Sequence, residues 1–297
     1  MIFLARFILK GYSQAALVAA AMAMLGLLFA PVAWISGAVV ALVTLVHGHR
    51  YGLSVTAIAA VATGILAVLQ GLQAEIALFF VLLVWLPVLL AAVVLRQTVS
   101  LVFSLQVIAL VSLLGVVVMY SIYPDIGEIW RPQLEALVKD LETRSPDSAE
   151  TEQLQLLIDQ IVRTLPGFFA SSFMIGTLLS LYLARWWQAV IYNPGGFGKE
   201  FRALNLGKVT ALVALGISAA AAAIHGDIFN AMLLIVLALY LNQGIAVLHA
   251  VFAGKQLNTV WLFLVYMMMF IAPYTMILLA LAGLADTWID FRRRLLA

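Results

Sequence analysis

The 297-residue chain is 65% apolar and 10% charged, with a net charge of +2 and a mean hydropathy of +1.11. Soluble domains carry about 25% charged residues, so 16 Lys and Arg with 14 Asp and Glu cannot cover a water-exposed surface of this size, and lipid must solvate most of it. The lack of cysteine excludes disulfides, thiolate nucleophiles and Cys-ligated metals, and the near-zero charge gives no argument for nucleic acid.

A crossing helix needs roughly 20 apolar residues, at about 1.5 Å each, to span a hydrocarbon core of about 30 Å. Residues 11–29 and 32–46 are two apolar runs hinged at Ala30-Pro31, where proline interrupts the helical ladder, and they predict a tight hairpin. The first run follows Arg6 and Lys10 as an export signal does, but the second run follows at once and the first helix is expected to stay. Beyond His47-Gly48-His49-Arg50 come runs at 53–69, at 76–95 with a kink expected at Pro87, and at 99–123. A sixth span is expected to start at Pro166 and run to 190. Runs at 209–224 and 228–252 then flank the turn His225-Gly226-Asp227. The last run, 260–284, contains Pro273 and reads as one kinked helix or two short ones.

The expected fold is therefore an all-α polytopic membrane bundle of nine or ten transmembrane helices with an extracytoplasmic amphipathic helical insertion. Residues 1–123 form an N-terminal membrane half of five spans, 124–165 the insertion, and 166–297 a C-terminal half with a Pro-Gly-Gly loop at 191–208. Cytoplasmic loops retain Lys and Arg. Arg6, Lys10, Arg50, Arg96, Arg185, Lys199, Arg202, Lys208 and Lys255 fall on alternate turns, while the short intervening turns at Pro31, at 70–75 and at His225-Gly226-Asp227 carry none, which predicts a cytoplasmic N-terminus. The terminal Arg292-Arg293-Arg294 should then be cytoplasmic too, favouring an even number of crossings and a split at Pro273.

The insertion holds nine of the fourteen acidic residues against four basic ones, a net −5. Its apolar residues recur at helical spacing, Ile126, Ile129, Leu134, Leu137, Val138 and Leu141, then Leu154, Leu157, Ile158, Ile161 and Leu165. Two amphipathic helices divided at Ser145-Pro146-Asp147-Ser148 are expected. They form either a lid over a cavity or a pair that buries its stripes against itself.

No catalytic, metal or cofactor signature stands out, and an enzyme is not expected. Gly195-Gly196-Phe197-Gly198-Lys199-Glu200 lacks the spacing of a phosphate loop, and Glu200 stands where a magnesium-binding hydroxyl belongs. His47, His49, His225 and His249 are scattered. Intramembrane polar groups cost free energy unless satisfied, so the expected solute cavity lies at Asn242, Gln243 and His249. Asn242 and His249 share a helix face, with Gln243 about 100° round; the alternative is helix-to-helix hydrogen bonding. Gln14, Gln106 and Asn230 are isolated and read as packing contacts. Ala15, Ala19 and Ala23 form a small-residue stripe suited to close helix approach, either within the chain or towards a separate membrane subunit. The segment Trp186-Trp187 to Arg202 suits a lipid-anchored turn. Pro194, Gly195, Gly196, Phe197, Phe201 and Arg202 also form a compact element able to dock a partner.

Around that loop the chain resembles the YybS-like family of bacterial inner-membrane proteins, a family of unknown function. The resemblance rests on Trp186-Trp187-Gln188-Ala189, Tyr192-Asn193-Pro194-Gly195-Gly196-Phe197 and Glu200-Phe201-Arg202. It rests also on Gln243-Gly244-Ile245-Ala246-Val247-Leu248-His249 and the ending Asp286-Thr287-Trp288-Ile289-Asp290-Phe291-Arg292-Arg293. That family is distantly similar to substrate-binding subunits of energy-coupling-factor transporters, whose first helix meets the coupling subunit through small residues. The resemblance thus implies a multi-pass protein of the bacterial inner membrane, with Ala15, Ala19 and Ala23 facing such a subunit. It supplies no catalytic residues. The expected function is solute binding related to transport, with a membrane scaffold as the alternative. Expected partners are the bilayer, a small-molecule solute and a coupling subunit or other membrane protein.

Overall fold

The computed structural model describes residues 2–142, 148–224 and 226–296; Ser145, Pro146, Asp147 and His225 lie outside them. Every regular element among the described residues is helical. In chain order these are α1 (Ile2–Ile8), α2 (Tyr12–Leu28), α3 (Pro31–His47), α4 (His49–Leu69), α5 (Ile76–Phe80), a π-helical turn (Val81–Trp85), α6 (Leu86–Thr98) and α7 (Leu101–Ile122). A 3-10 turn (Ile126–Trp130) leads to α8 (Arg131–Glu142), then α9 (Ser148–Tyr192), α10 (Gly196–Arg202), α11 (Gly207–Ile224) and α12 (Asp227–Gly254). The chain closes with α13 (Thr259–Ile271), α14 (Tyr274–Ile289) and α15 (Phe291–Leu296).

Six helices among the described residues are long and apolar enough to cross a membrane: α4, the continuous α5–α6 unit, α7, α9, α11 and α12. The bent pair α13 and α14 makes a seventh if counted as one span. The nine or ten expected are reached only if the shorter apolar helices α2 and α3 are added and the bent pair is taken as one span or two. Helices α2 and α3 have 17 residues each, about 25 Å, at the lower limit for crossing a core of roughly 30 Å. The split at Pro273 is present, with α13 and α14 bent by 118°. The hairpin at Pro31 is also present, with Pro31 at the first turn of α3, where its missing N–H costs nothing.

Helix α3 is the centre of the bundle. Residues Ser36 to Leu45 are all buried, as expected of a helix that is apolar on every side. It packs on α2, α4, α6 and α9. Small residues set the approach: a methyl at Gly37 would sit 2.7 Å from Ser180 Oγ, and one at Gly176 2.7 Å from Trp34 Nε1. A buried relay spans three elements, with Trp85 Nε1 donating to Ser36 Oγ (2.9 Å) and Ser36 Oγ donating to the Ala19 carbonyl (2.7 Å). The kink expected at Pro87 takes the form of the π-helical turn just before it, which widens the helix where proline supplies no N–H.

Pro166 does not begin a helix. It lies inside α9, which runs unbroken for 45 residues, so the second insertion helix and the sixth span are one rod. A proline leaves the carbonyl four residues earlier without its helical donor, here that of Val162. Gly127 of the 3-10 turn lies directly on this carbonyl, and a methyl at Gly127 would stand 2.3 Å from the oxygen. The insertion buries part of its stripe against itself: Val138, Ile158 and Val162 form a small core with Leu134 and Leu154, while Ile129, Leu137, Leu157 and Ile161 stay exposed. Trp130 stacks on Phe169 at 5.4 Å between ring centroids.

Arg131 binds this layer electrostatically, pairing with Glu128 and with Asp159 at 2.8 Å. The hydrogen bonds from Arg131 hold the Glu128 carboxyl below the usual glutamate range. A carboxyl depressed in the folded state stabilises above its ordinary pKa, and that contribution vanishes as pH falls through the depressed value. Hydrogen exchange over residues 126–142, corrected for intrinsic rates, should therefore show protection falling as pH drops below the ordinary glutamate range, with Glu128→Gln flattening the dependence. Gly127→Ala should lower stability by about 1–3 kcal/mol through overpacking on the Val162 carbonyl. Thermal unfolding in a fixed detergent measures this.

Candidate functional site

The three polar residues expected to line a cavity on α12 are engaged with the chain itself. Asn242 Nδ2 donates to the Ala238 carbonyl (2.8 Å), and its Oδ1 accepts from Tyr182 Oη (3.0 Å). His249 Nε2 lies 2.7 Å from Tyr266 Oη. Gln243 is fully buried and faces another way, as its 100° offset requires. Its Oε1 accepts from the Leu206 amide (2.8 Å) and its Nε2 donates to the Gly283 carbonyl (2.7 Å).

Gln243 opens onto a buried network that sequence reasoning missed. Asp286, 1% exposed, lies 3.5 Å from Gln243 Nε2, pairs with Arg292 at 3.2 Å and accepts from the Phe291 amide. Arg292 in turn donates to the Leu204 carbonyl. Helices α12 and α14, the 203–206 linker and Arg292 thus meet at one point. The close approach of α12 to α14 needs glycine, since a methyl at Gly244 would stand 1.9 Å from the Leu279 carbonyl oxygen. Gln106 is likewise a packing contact, donating to the Leu206 carbonyl (2.9 Å) and to Thr210 Oγ1 (2.8 Å).

Helix α10 fills the space on the other side of α12. Gly195, at φ 83°, makes the turn out of α9, and α10 then drives Phe197 and Phe201 inward. Their rings lie 5.9 and 5.4 Å from Tyr182, and Phe201 is 5.9 Å from His249. Arg185 clamps the wedge to α9 through a two-pronged pair with Glu200. Of the expected docking element, Gly196 is buried and Phe197, Phe201 and Arg202 are half-buried, while Pro194 and Gly195 are exposed. Ala15, Ala19 and Ala23 are fully buried against α3 and α4. They form a seam inside the chain and offer no surface to a separate subunit.

A wider opening lies elsewhere among the described residues. A cavity of about 540 Å³ sits between α6, α7 and α9, lined by Leu83, Leu90, Ile108, Gly115, Phe173 and Met174 among others, with Trp130 and Phe169 at its insertion end. Ser112 and Thr177 are its hydroxyl-bearing lining residues. A second cavity of about 300 Å³ shares Leu83, Phe173 and Thr177 with it and reaches Trp34 and Ser180. Apolar runs hide such a cleft from the sequence. Its only traces are Pro87 and Pro166 on facing helices and Gly115, where an added methyl meets nothing within 4 Å. Among the described residues, no group of three His, Asp or Glu side chains is placed to hold a metal ion.

What the fold and these contacts define is a class, an all-helical protein with several membrane-spanning helices. No protein-family model, no curated protein and no solved structure matches the chain.

Gln243→Leu should destabilise by about 1–3 kcal/mol, because it strands the buried Leu206 amide. Asn242→Ala should cost about 0.6 kcal/mol, the mean for an intramembrane side-chain hydrogen bond. Melting temperatures of both variants in the same detergent check the order.

Proposed function

We propose that this chain is a membrane-embedded solute-binding protein, related to transport, whose solute is apolar or carries an apolar chain. The observation that carries the reading is the cleft of about 540 Å³ between α6, α7 and α9. Its volume is in the usual range for ligand pockets, roughly 300–1,000 Å³. Its walls offer almost no donors or acceptors, so a free ion or sugar would lose its hydration without replacement. A lipid-like chain already resides in the bilayer and has no hydration to lose by entering. The polar residues on α12 do not compete for this role, because their hydrogen bonds are made within the chain.

The resemblance to YybS-like proteins supports the transport-related reading and a setting in the bacterial inner membrane. The placement of Lys and Arg supports cytoplasmic termini. A scaffold recruiting partners through the 191–208 loop is the second reading. It is favoured by the exposed tip Tyr192 to Gly195, and weakened by Phe197 and Phe201 being spent on Tyr182.

Gly115→Trp tests the proposal, since the side chain would grow into the cleft without a clash at its Cβ. Native mass spectrometry of the wild type should retain a lipid-like molecule, and Gly115→Trp should lose it while keeping its helical content. Equal retention by both proteins would overturn the assignment.

A further inference from the structure

A second, chemically opposite cleft lies at the other end of the bundle, and we infer that it binds a phosphate-bearing anion. Its volume is about 260 Å³, and Arg96, Arg185, Gln188, Asn193 and Glu200 converge on it, with Val99 at its rim. The fixed charges decide its preference. The Arg185 and Glu200 charges cancel in their two-pronged pair. Arg96 spends one nitrogen on the Leu45 and Val46 carbonyls at the end of α3. Those partners are neutral, so the guanidinium keeps its charge and its remaining N–H donors. The side-chain amides of Gln188 and Asn193 make no hydrogen bond within the chain among the described residues, which leaves further donors on the same wall.

The surroundings reinforce the sign. Segments 2–12, 45–52, 94–102 and 185–208, which gather at this end, carry eight Lys and Arg and a single acid, Glu200. Helix ends of both polarities meet here, the C-termini of α3, α6 and α9 and the N-termini of α4 and α7. Their partial charges oppose one another, and the net field is that of the side chains. The rim holds a strained residue. Val99 has φ 52° and ψ 25° and is 86% exposed, a conformation β-branched residues rarely adopt. Strain of this kind persists where the surroundings over-determine it, and it clusters at binding sites. Here it turns the chain from α6 into α7.

Guanidinium groups with neighbouring amides recognise phosphate oxygens. A phospholipid headgroup and free phosphate share that chemistry. Val99 provides a test that leaves Arg96 and its structural bonds intact. Val99→Asn and Val99→Asp both suit the left-handed conformation better than valine, but only the second brings a negative charge to the rim. In native mass spectrometry with equal phosphatidylglycerol and phosphatidylcholine, the wild type and Val99→Asn should retain the anionic lipid preferentially. Val99→Asp should weaken that retention roughly tenfold, the scale of one charge pair at a protein surface. Thermal shift with inorganic phosphate alone separates the sources: a shift lost in Val99→Asp identifies a soluble phosphate site, and no shift beside selective lipid retention identifies a headgroup. The inference is overturned if neither lipid preference nor phosphate shift occurs, or if Val99→Asp binds as the wild type does. None of these outcomes depends on the apolar cleft.

Discussion

One buried amide fixes how the second half of the molecule is assembled. Gln243 sits where water cannot reach and must satisfy a donor and an acceptor from protein alone. It does so by taking the amide of Leu206 and giving to the carbonyl of Gly283. Those two contacts pin the linker before α11 and the middle of α14 to the same turn of α12. Asp286 and Arg292 then tie the C-terminal segment to the Leu204 carbonyl. With the linker held, α10 has a fixed exit and Phe197 and Phe201 have a fixed depth. The aromatic wedge is thus a consequence of a hydrogen-bonding obligation several residues away.

The same obligation explains the irregular places. A bilayer supplies no partners for backbone groups, so every departure from the helical ladder needs a remedy. At Pro87 the remedy is the π-helical turn at Val81–Trp85. At Pro166 the bare Cα of Gly127 packs on the freed Val162 carbonyl, a contact worth no more than a weak C–H···O interaction. At Arg96 a side chain supplies the donors that the end of α3 lacks. Two of these three sites flank the apolar cleft and the third forms the wall of the polar one, so irregular backbone and open volume occur together.

Much of the architecture was legible because hydropathy and proline act locally. The hairpin at Pro31, the helical insertion and the break at Pro273 all follow from runs and breakers. The fate of Pro166 was not legible, since whether a proline ends a helix or is carried inside it depends on what packs on the freed carbonyl, and Gly127 is 39 residues away in sequence. The candidate site divided in the same way. That Asn242, Gln243 and His249 need hydrogen-bond partners was readable from their cost in a membrane. Their partners were not, because Tyr182, Leu206, Gly283 and Tyr266 belong to other segments. An apolar cleft leaves no polar signature at all, so its position emerged only from the packing of α6, α7 and α9.

The unbroken α9 has a mechanical meaning. At 45 residues it is a rod of about 68 Å, with the acidic insertion at one extremity and the Arg185 clamp towards the other. Helices transmit displacement along their axis far better than loops, and they pivot where a hydrogen bond is missing. Pro166 supplies that pivot. The insertion arm and the segment that carries the Arg185 clamp are therefore two arms of a single helix that meet at Pro166, beside the apolar cleft.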